Sequence, residues 1–233
     1  MEMKKAYSPN EISRIRSKLL PWGEKWSSVF GYPSLTETWF ICGHSASGKS
    51  SFVMQLGKEL CQFGRVLYVS YEEGVRASFR RRIGYLKMDE VQGNFRVVTN
   101  DSPEELRERL SKPKSARFVI IDSTQQSGMN YPELEHLVKD FPHKSIIFVS
   151  QERRGQPLGT AAVRLRYLAG VKVWVRGFKA FCQGRENENA GAYYPVWEEG
   201  IVRTGMEVTG AVTPSPSGME APAEPSLTEK EQL

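Results

Sequence analysis

Residues Gly43-His44-Ser45-Ala46-Ser47-Gly48-Lys49-Ser50 match the whole pattern G-x-x-x-x-G-K-[ST], directly after the apolar run Thr38-Trp39-Phe40-Ile41-Cys42. This constrains the fold strongly, because the pattern works only as the turn between a buried strand and a helix. Its glycines let the backbone curl so that successive N–H groups face one anion. Lys49 then reaches the β- and γ-phosphates of a nucleoside triphosphate, and the Ser50 hydroxyl ligates Mg²⁺. A helix starting near Gly48 aims its positive end at the same phosphates. Downstream, Phe52, Val53, Leu56, Leu60 and Phe63 recur at helical spacing and Gly64 ends the pattern. The expected cradle is Gly43, His44, Ser45, Ala46, Ser47, Gly48, Lys49, Ser50 and Ser51.

The rest of the chain alternates in the way such a loop requires. Ser8-Pro9-Asn10-Glu11 reads as a capping box opening a helix that Pro21 stops. Trp22, Trp26 and Phe30 follow; they are expected to pack that helix onto the core, with an adenine-lining role as the alternative. Strands are expected at 65–70, 95–99, 117–122 and 145–150, separated by helices ending near Lys87, near Leu110 and at Asp140. Val- and Ile-rich strands without polar alternation are buried on both faces, which implies a mainly parallel central sheet with helices on both faces. After a short helix to Leu168, the runs 171–175, 178–183 and 193–202 read as a C-terminal antiparallel extension.

The expected division is a lead-in over residues 1–34, a core over 35–205 and a tail over 206–233. The tail sets four prolines among Ser, Ala, Thr and Glu, too little apolar surface to offset ordering, and is expected to be disordered. The chain of 233 residues has a net charge of +5. Because residues 206–233 hold five acids and one lysine, the remainder carries 31 basic and 22 acidic residues, a balance that favours a polyanionic partner. Cys42, Cys61 and Cys182 lie far apart with no C-x-x-C pair, which argues for a reducing compartment and against zinc. The N-terminus lacks an apolar signal core and no stretch is long enough to cross a bilayer, so a soluble, cytoplasmic protein is expected.

A bound triphosphate also needs carboxylates at neighbouring strand ends. Phe118-Val119-Ile120-Ile121-Asp122 supplies Asp122, expected to position Mg²⁺ through a water. Ser70-Tyr71-Glu72-Glu73-Gly74 places two acids where the second core strand ends, and one of them is expected to deprotonate the attacking water. The competing reading is that both acids merely favour the start of the next helix. Gln151 ends the fifth core strand and can report on the γ-phosphate, while Arg153 and Arg154 follow in a basic loop suited to polyanions.

Together these motifs resemble the RecA-fold ATPases over residues 35–203, in particular the branch of RadA/Sms, KaiC and the DnaB-type replicative helicases. The resemblance implies a RecA-like P-loop NTPase fold, with Glu72 as the catalytic glutamate, Glu73 next best, Asp122 as the Walker B carboxylate and Gln151 coupling the γ-phosphate to a DNA-binding loop. It sets residues 124–131 and 152–160 as the two DNA-facing loops, with Arg153 and Arg154 as phosphate contacts. Gln183-Gly184-Arg185 is similar to the K-x-R segment through which a neighbouring subunit completes the ATP site, so Arg185 is the trans arginine-finger candidate, although Gln183 replaces the family's lysine. The resemblance therefore implies an ATPase with ATP and Mg²⁺ as ligands, a homo-oligomer in ring or filament form, and DNA as partner in replication or recombination. With no C-x-x-C pair and fewer than forty residues ahead of the core, the sequence is expected to lack the zinc ribbon and protease-like domain of RadA, the helical collar of DnaB and the second ATPase domain usual in KaiC. It reads as a minimal, stand-alone core.

Two alternatives stay open at this level. A small-molecule P-loop kinase shares the nucleotide chemistry but requires neither the strand-end glutamates nor the strand-end glutamine. A nucleotide-gated scaffold would use the same site without turnover. No L-S-G-G-Q transporter signature and no N-K-x-D guanine signature is present, which leaves ATP as the nucleotide.

Overall fold

The computed structural model describes residues 6–183 and 191–204. Arg185 and the tail 206–233 lie outside the described residues. In chain order the elements are α1 (Pro9–Ser13), α2 (Glu24–Phe30), β1 (Trp39–Gly43), α3 (Lys49–Leu60), β2 (Val66–Ser70), α4 (Ala77–Tyr85), a 3-10 turn (Met88–Val91), β3 (Phe95–Val98), α5 (Pro103–Ser111), β4 (Phe118–Asp122), α6 (Tyr131–Asp140), β5 (Ser145–Arg153), β6 (Gln156–Pro157), α7 (Thr160–Leu168), β7 (Val171–Arg176), β8 (Lys179–Cys182), β9 (Tyr193–Pro195) and α8 (Glu198–Arg203).

The sheet runs β3-β2-β4-β5-β1-β7-β8-β9, with β6 hydrogen-bonded to β5. From β3 to β7 every pairing along this path is parallel, and β8 and β9 add antiparallel strands at one side. This is the α/β architecture that the continuous apolar runs imply. β1, β2 and β4 are buried at every position, and their alternating side chains feed two separate cores. Trp39, Ile41, Tyr68 and Ile120 pack with α2, α3 and Phe79 of α4. Phe40, Val69, Ile121 and Phe148 pack with Leu106 of α5, Leu134 of α6 and Leu165 of α7. Ser8, Ser102 and Asn130 each close a capping box with a glutamate three residues on, ahead of a proline in the first turn of α1, α5 and α6.

Several boundaries differ from expectation, each for a physical reason. The first helix ends at Ser13 rather than near Pro21, and none of its residues is buried. Ile12, Ile15 and Leu19 are exposed, so no tertiary packing holds further turns. Instead Leu20 N–H donates to Pro33 O and Leu35 N–H to Lys18 O, both at 2.8 Å, in a short antiparallel bridge. Trp22, Trp26 and Phe30 are core residues: Trp26 stacks on Tyr194 with ring centroids 4.4 Å apart, and Trp22 Nε1 donates to Gly31 O at 2.7 Å. The run 193–202 is strand only to Pro195. Glu198 and Glu199 then open α8, where acids favour the helix dipole and Arg203 complements its end.

Candidate nucleotide site

β1, β2, β4 and β5 bring their C-terminal ends into one row, with Ser70 beside Asp122, Asp122 beside Val149, and Gly43 beside Gln151. Ligands of open parallel sheets bind outside such strand ends. At β1 the chain leaves the sheet, loops through His44-Ser45-Ala46-Ser47-Gly48 and enters α3 at Lys49. Ala46 (φ 60°) and Gly48 (φ 98°) adopt left-handed backbone, which lets the loop reverse before the helix. Gly43 is required by close approach: a Cβ there would sit 2.2 Å from the Val175 carbonyl oxygen of β7. The turn between β7 and β8 holds the loop from the side, with Phe178 N–H donating to Ser47 O at 3.1 Å.

Lys49, Ser50, Ser51, Glu72, Asp122 and Gln151 line one pocket of about 260 Å³, together with Ser45, Ala46, Gly48, Arg82 and Phe178. A larger cleft of about 770 Å³ follows α3 between α4 and β9–α8, but its lining includes none of these strand-end acids and no part of the phosphate loop. Chemistry rather than size marks the site. Lys49 Nζ donates to His44 O at 2.6 Å, and partial burial lowers its pKa while the carboxylates of Glu72 and Asp122 oppose that shift. Asp122 is 6% exposed; burial raises its pKa to about 6, against the lowering effect of the Tyr68 hydroxyl, which donates to Oδ2. Tyr68 is itself fully buried, so this hydrogen bond satisfies both groups.

The two glutamates have different partners. Glu73 Oε2 accepts from Arg82 Nη1 at 2.7 Å; burial alone would raise its pKa, but hydrogen bonds from Arg82 and Ser78 outweigh this and lower it. Glu72 Oε1 accepts from Gln151 Nε2 at 3.1 Å at the pocket mouth. Its segment is fixed by backbone bonds, Tyr71 N–H and Glu72 N–H both donating to Asp122 O, at 2.7 and 3.3 Å. The following helix begins at Ala77; Glu73 reaches its first turn through Ser78 and a later turn through Arg82, whereas Glu72 bonds to Gln151 across the pocket instead.

Beyond Gln151, β5 continues to Arg153 and turns back into β6, so the basic segment is a hairpin with Arg153 and Arg154 exposed and Arg154 in the left-handed region at φ 53°. Glu152 is buried beneath it, accepting from Gly155 N–H at 2.5 Å with His44 Nε2 3.7 Å away. Gln125, in the segment after Asp122, donates through Nε2 to Ser150 Oγ (2.8 Å) and Leu158 O (2.7 Å) and accepts from Gln151 N–H (3.2 Å). The segment after Asp122 is thereby tied to both legs of the hairpin.

Arg82 and Gln125 escaped the sequence reading. Arg82 had a usable signal, since it lies three residues after buried Phe79 and shares its face, whereas Arg80 and Arg81 are exposed. Gln125 had none, because its role depends on three strand ends meeting. Among the described residues there is no group of three His, Cys, Asp or Glu side chains suited to hold a metal, and the three cysteines are free and buried. No described helix is long and apolar enough to cross a membrane.

No protein-family model matches this chain, and no curated protein matches it in sequence. Among solved structures it is similar to the flagellar accessory protein FlaH from Methanocaldococcus jannaschii, with a TM-score of 0.54 over 72% of this chain and 88% of that one. The fold is RecA-like. Sequence identity to that protein is 16%, and 599 solved chains match this structure, so the likeness carries architecture and does not choose among activities.

Proposed function

We propose that the chain is an ATP-hydrolysing protein of the RecA/RadA type that acts on DNA in replication or recombination, with its core over residues 35–205. The observation that carries this reading is the 3.1 Å contact between Glu72 and Gln151 at the mouth of a pocket that also holds Lys49 and Asp122. A kinase needs the phosphate loop and a metal carboxylate; it has no use for a strand-end glutamate touching a strand-end glutamine.

The residues present fit a triphosphate with magnesium. The loop carries left-handed backbone at Ala46 and Gly48, Ser47 Oγ is buried with no partner among the described residues, and Ser50 and Asp122 offer the hard oxygen donors that Mg²⁺ prefers. Ser50, and Asp122 through a water, would hold magnesium, which would supply neutralisation of the phosphate charge. Lys49 and the loop N–H groups orient the phosphates, and Tyr68 holds the Asp122 carboxylate in place. Glu72 takes a proton from water as its oxygen bonds to the γ-phosphorus and the bridge to ADP breaks, giving ADP and phosphate. Gln151, bound to Glu72 through its side chain and to Gln125 through its backbone, relates the state of the γ-phosphate to the hairpin bearing Arg153 and Arg154. Arg185 completes the site from a neighbouring copy in a homo-oligomer, ring or filament.

The test is steady-state ADP release without any acceptor, measured with and without single-stranded DNA, on the parent and on Lys49→Ala, with light scattering to give mass. Turnover by the parent, rising with DNA and absent in Lys49→Ala, is expected of an assembly of several copies. A monomer unresponsive to DNA contradicts the DNA and assembly parts, and silence without an acceptor contradicts the hydrolase.

A further inference from the structure

Past the hairpin, one side of the sheet carries a feature that nucleotide chemistry does not use. From Arg153 to Gln183 the sequence has seven basic residues and no acidic one. The same segment forms α7, β7 and β8, and the register sets Trp174 of β7 opposite Phe181 of β8, and Phe181 opposite Tyr193 of β9. Directly paired residues share a sheet face, so the three rings form a row across neighbouring strands. Phe181 and Tyr193 are in ring contact with centroids 5.7 Å apart. At a strand spacing of about 4.8 Å the row is roughly 10 Å long.

Basic groups flank this row. Arg166 of α7 lies 5.6 Å from the Trp174 ring centroid, and Arg176 is exposed at the end of β7. With Trp174 and Phe181 they line a groove of about 410 Å³ whose far wall is Gly155 and Gln156 of the β5–β6 hairpin. Trp174 Nε1 is buried there without a hydrogen-bond partner among the described residues. An aromatic row on a sheet, bordered by guanidinium groups, matches the needs of unpaired bases on a polyanionic backbone. A duplex cannot use it, because paired bases do not expose their faces.

We propose that this groove and the Tyr193 ring beside it bind a single strand of nucleic acid, about two bases stacking on the Trp174-Phe181-Tyr193 row while Arg166 and Arg176 contact phosphates. The inference rests on the nucleic-acid part of the proposed function and locates the contact beside the hairpin rather than on its tip. It is distinct from the phosphate contacts assigned to Arg153 and Arg154.

Fluorescence anisotropy with a labelled oligo(dT) of about twenty nucleotides at about 50 mM salt tests it. Tyr193 and Arg176 are exposed, so Tyr193→Ala and Arg176→Ala leave the core intact, which a thermal melt confirms. Each is expected to weaken oligo(dT) binding about tenfold, with duplex binding changed far less, and Arg176→Ala to reduce the salt slope by about one. Binding lost in Arg153→Ala/Arg154→Ala but unchanged in the groove variants overturns the groove and leaves the proposed function standing. No binding of oligo(dT) or duplex by a parent that hydrolyses ATP removes both. Equal loss of single-strand and duplex binding rules out stacking. An effect on self-association alone, or competition by an acidic peptide in place of oligo(dT), assigns the groove to a protein partner and overturns it.

Discussion

Glu72 and Glu73 are adjacent in sequence and have different partners. Glu73 is held by Arg82, a pairing about one fifth exposed on each side, and in the folded chain it titrates below its ordinary value of 4.5. A depressed carboxylate stabilises the fold above its unfolded pKa and loses that contribution as pH falls through the folded value. Glu73→Gln is therefore expected to lower stability by up to about 1 kcal/mol at pH 7, with the difference from the parent shrinking as pH falls below 4.5 through the folded value, and to retain most ATP turnover. Urea titrations across that range check the first part, and a hundredfold loss of turnover would move the catalytic role to Glu73. Tyr68 gives a second residue-scale prediction. Its hydroxyl is the hydrogen-bond donor to the buried Asp122 side chain, so Tyr68→Phe leaves that carboxyl uncompensated at a cost of about 1–3 kcal/mol. An unchanged urea midpoint would contradict it. The acids themselves were legible in the sequence from their places at the ends of apolar runs. Which of the pair lines the pocket with Lys49 and Asp122 was not, since that depends on Arg82 reaching back from the next helix.

At the scale of elements, the parallel strands and capped helices could be read because local signals and burial agree there. Ser102 with Glu105 and Pro103, or the unbroken Phe118–Ile121 run, leave little choice. Local signals fail where tertiary pairing decides: residues 14–20 bridge to the 33–35 segment instead of extending α1, and Val196 N–H donates to Phe178 O where the chain leaves β9 for α8. The β5–β6 hairpin belongs to this second class, because nothing local says that Gln125 will clamp it. Gln125→Leu removes the bonds to Ser150, Leu158 and Gln151 at once. Amide exchange at Leu158, whose N–H donates to Gln151 O at 2.9 Å, is expected to rise by at least about tenfold, with α5 and β4 unaffected. Unaltered protection at Leu158 would show that the two β5–β6 ladder pairs hold the hairpin alone.

For the whole molecule, two cores on opposite faces of one sheet fix four strand ends in register, and the phosphate loop, the carboxylates and the hairpin all project from that rigid row. The candidate nucleotide pocket sits at its centre, and the basic segment 153–183 carries the surface beside it. The proposed function assigns a division of labour to it: Lys49 and the loop to bind, Glu72 to activate water, and Gln151 with Gln125 to relate the γ-phosphate to the basic side. The most direct measurement of this claim is single-turnover hydrolysis and equilibrium ATP binding on Glu72→Gln, paired with the parent. The account predicts ATP affinity within about threefold of the parent and hydrolysis slower by about a hundredfold or more. Hydrolysis at the parental rate by Glu72→Gln, or absence of ATP binding by both proteins, would contradict it.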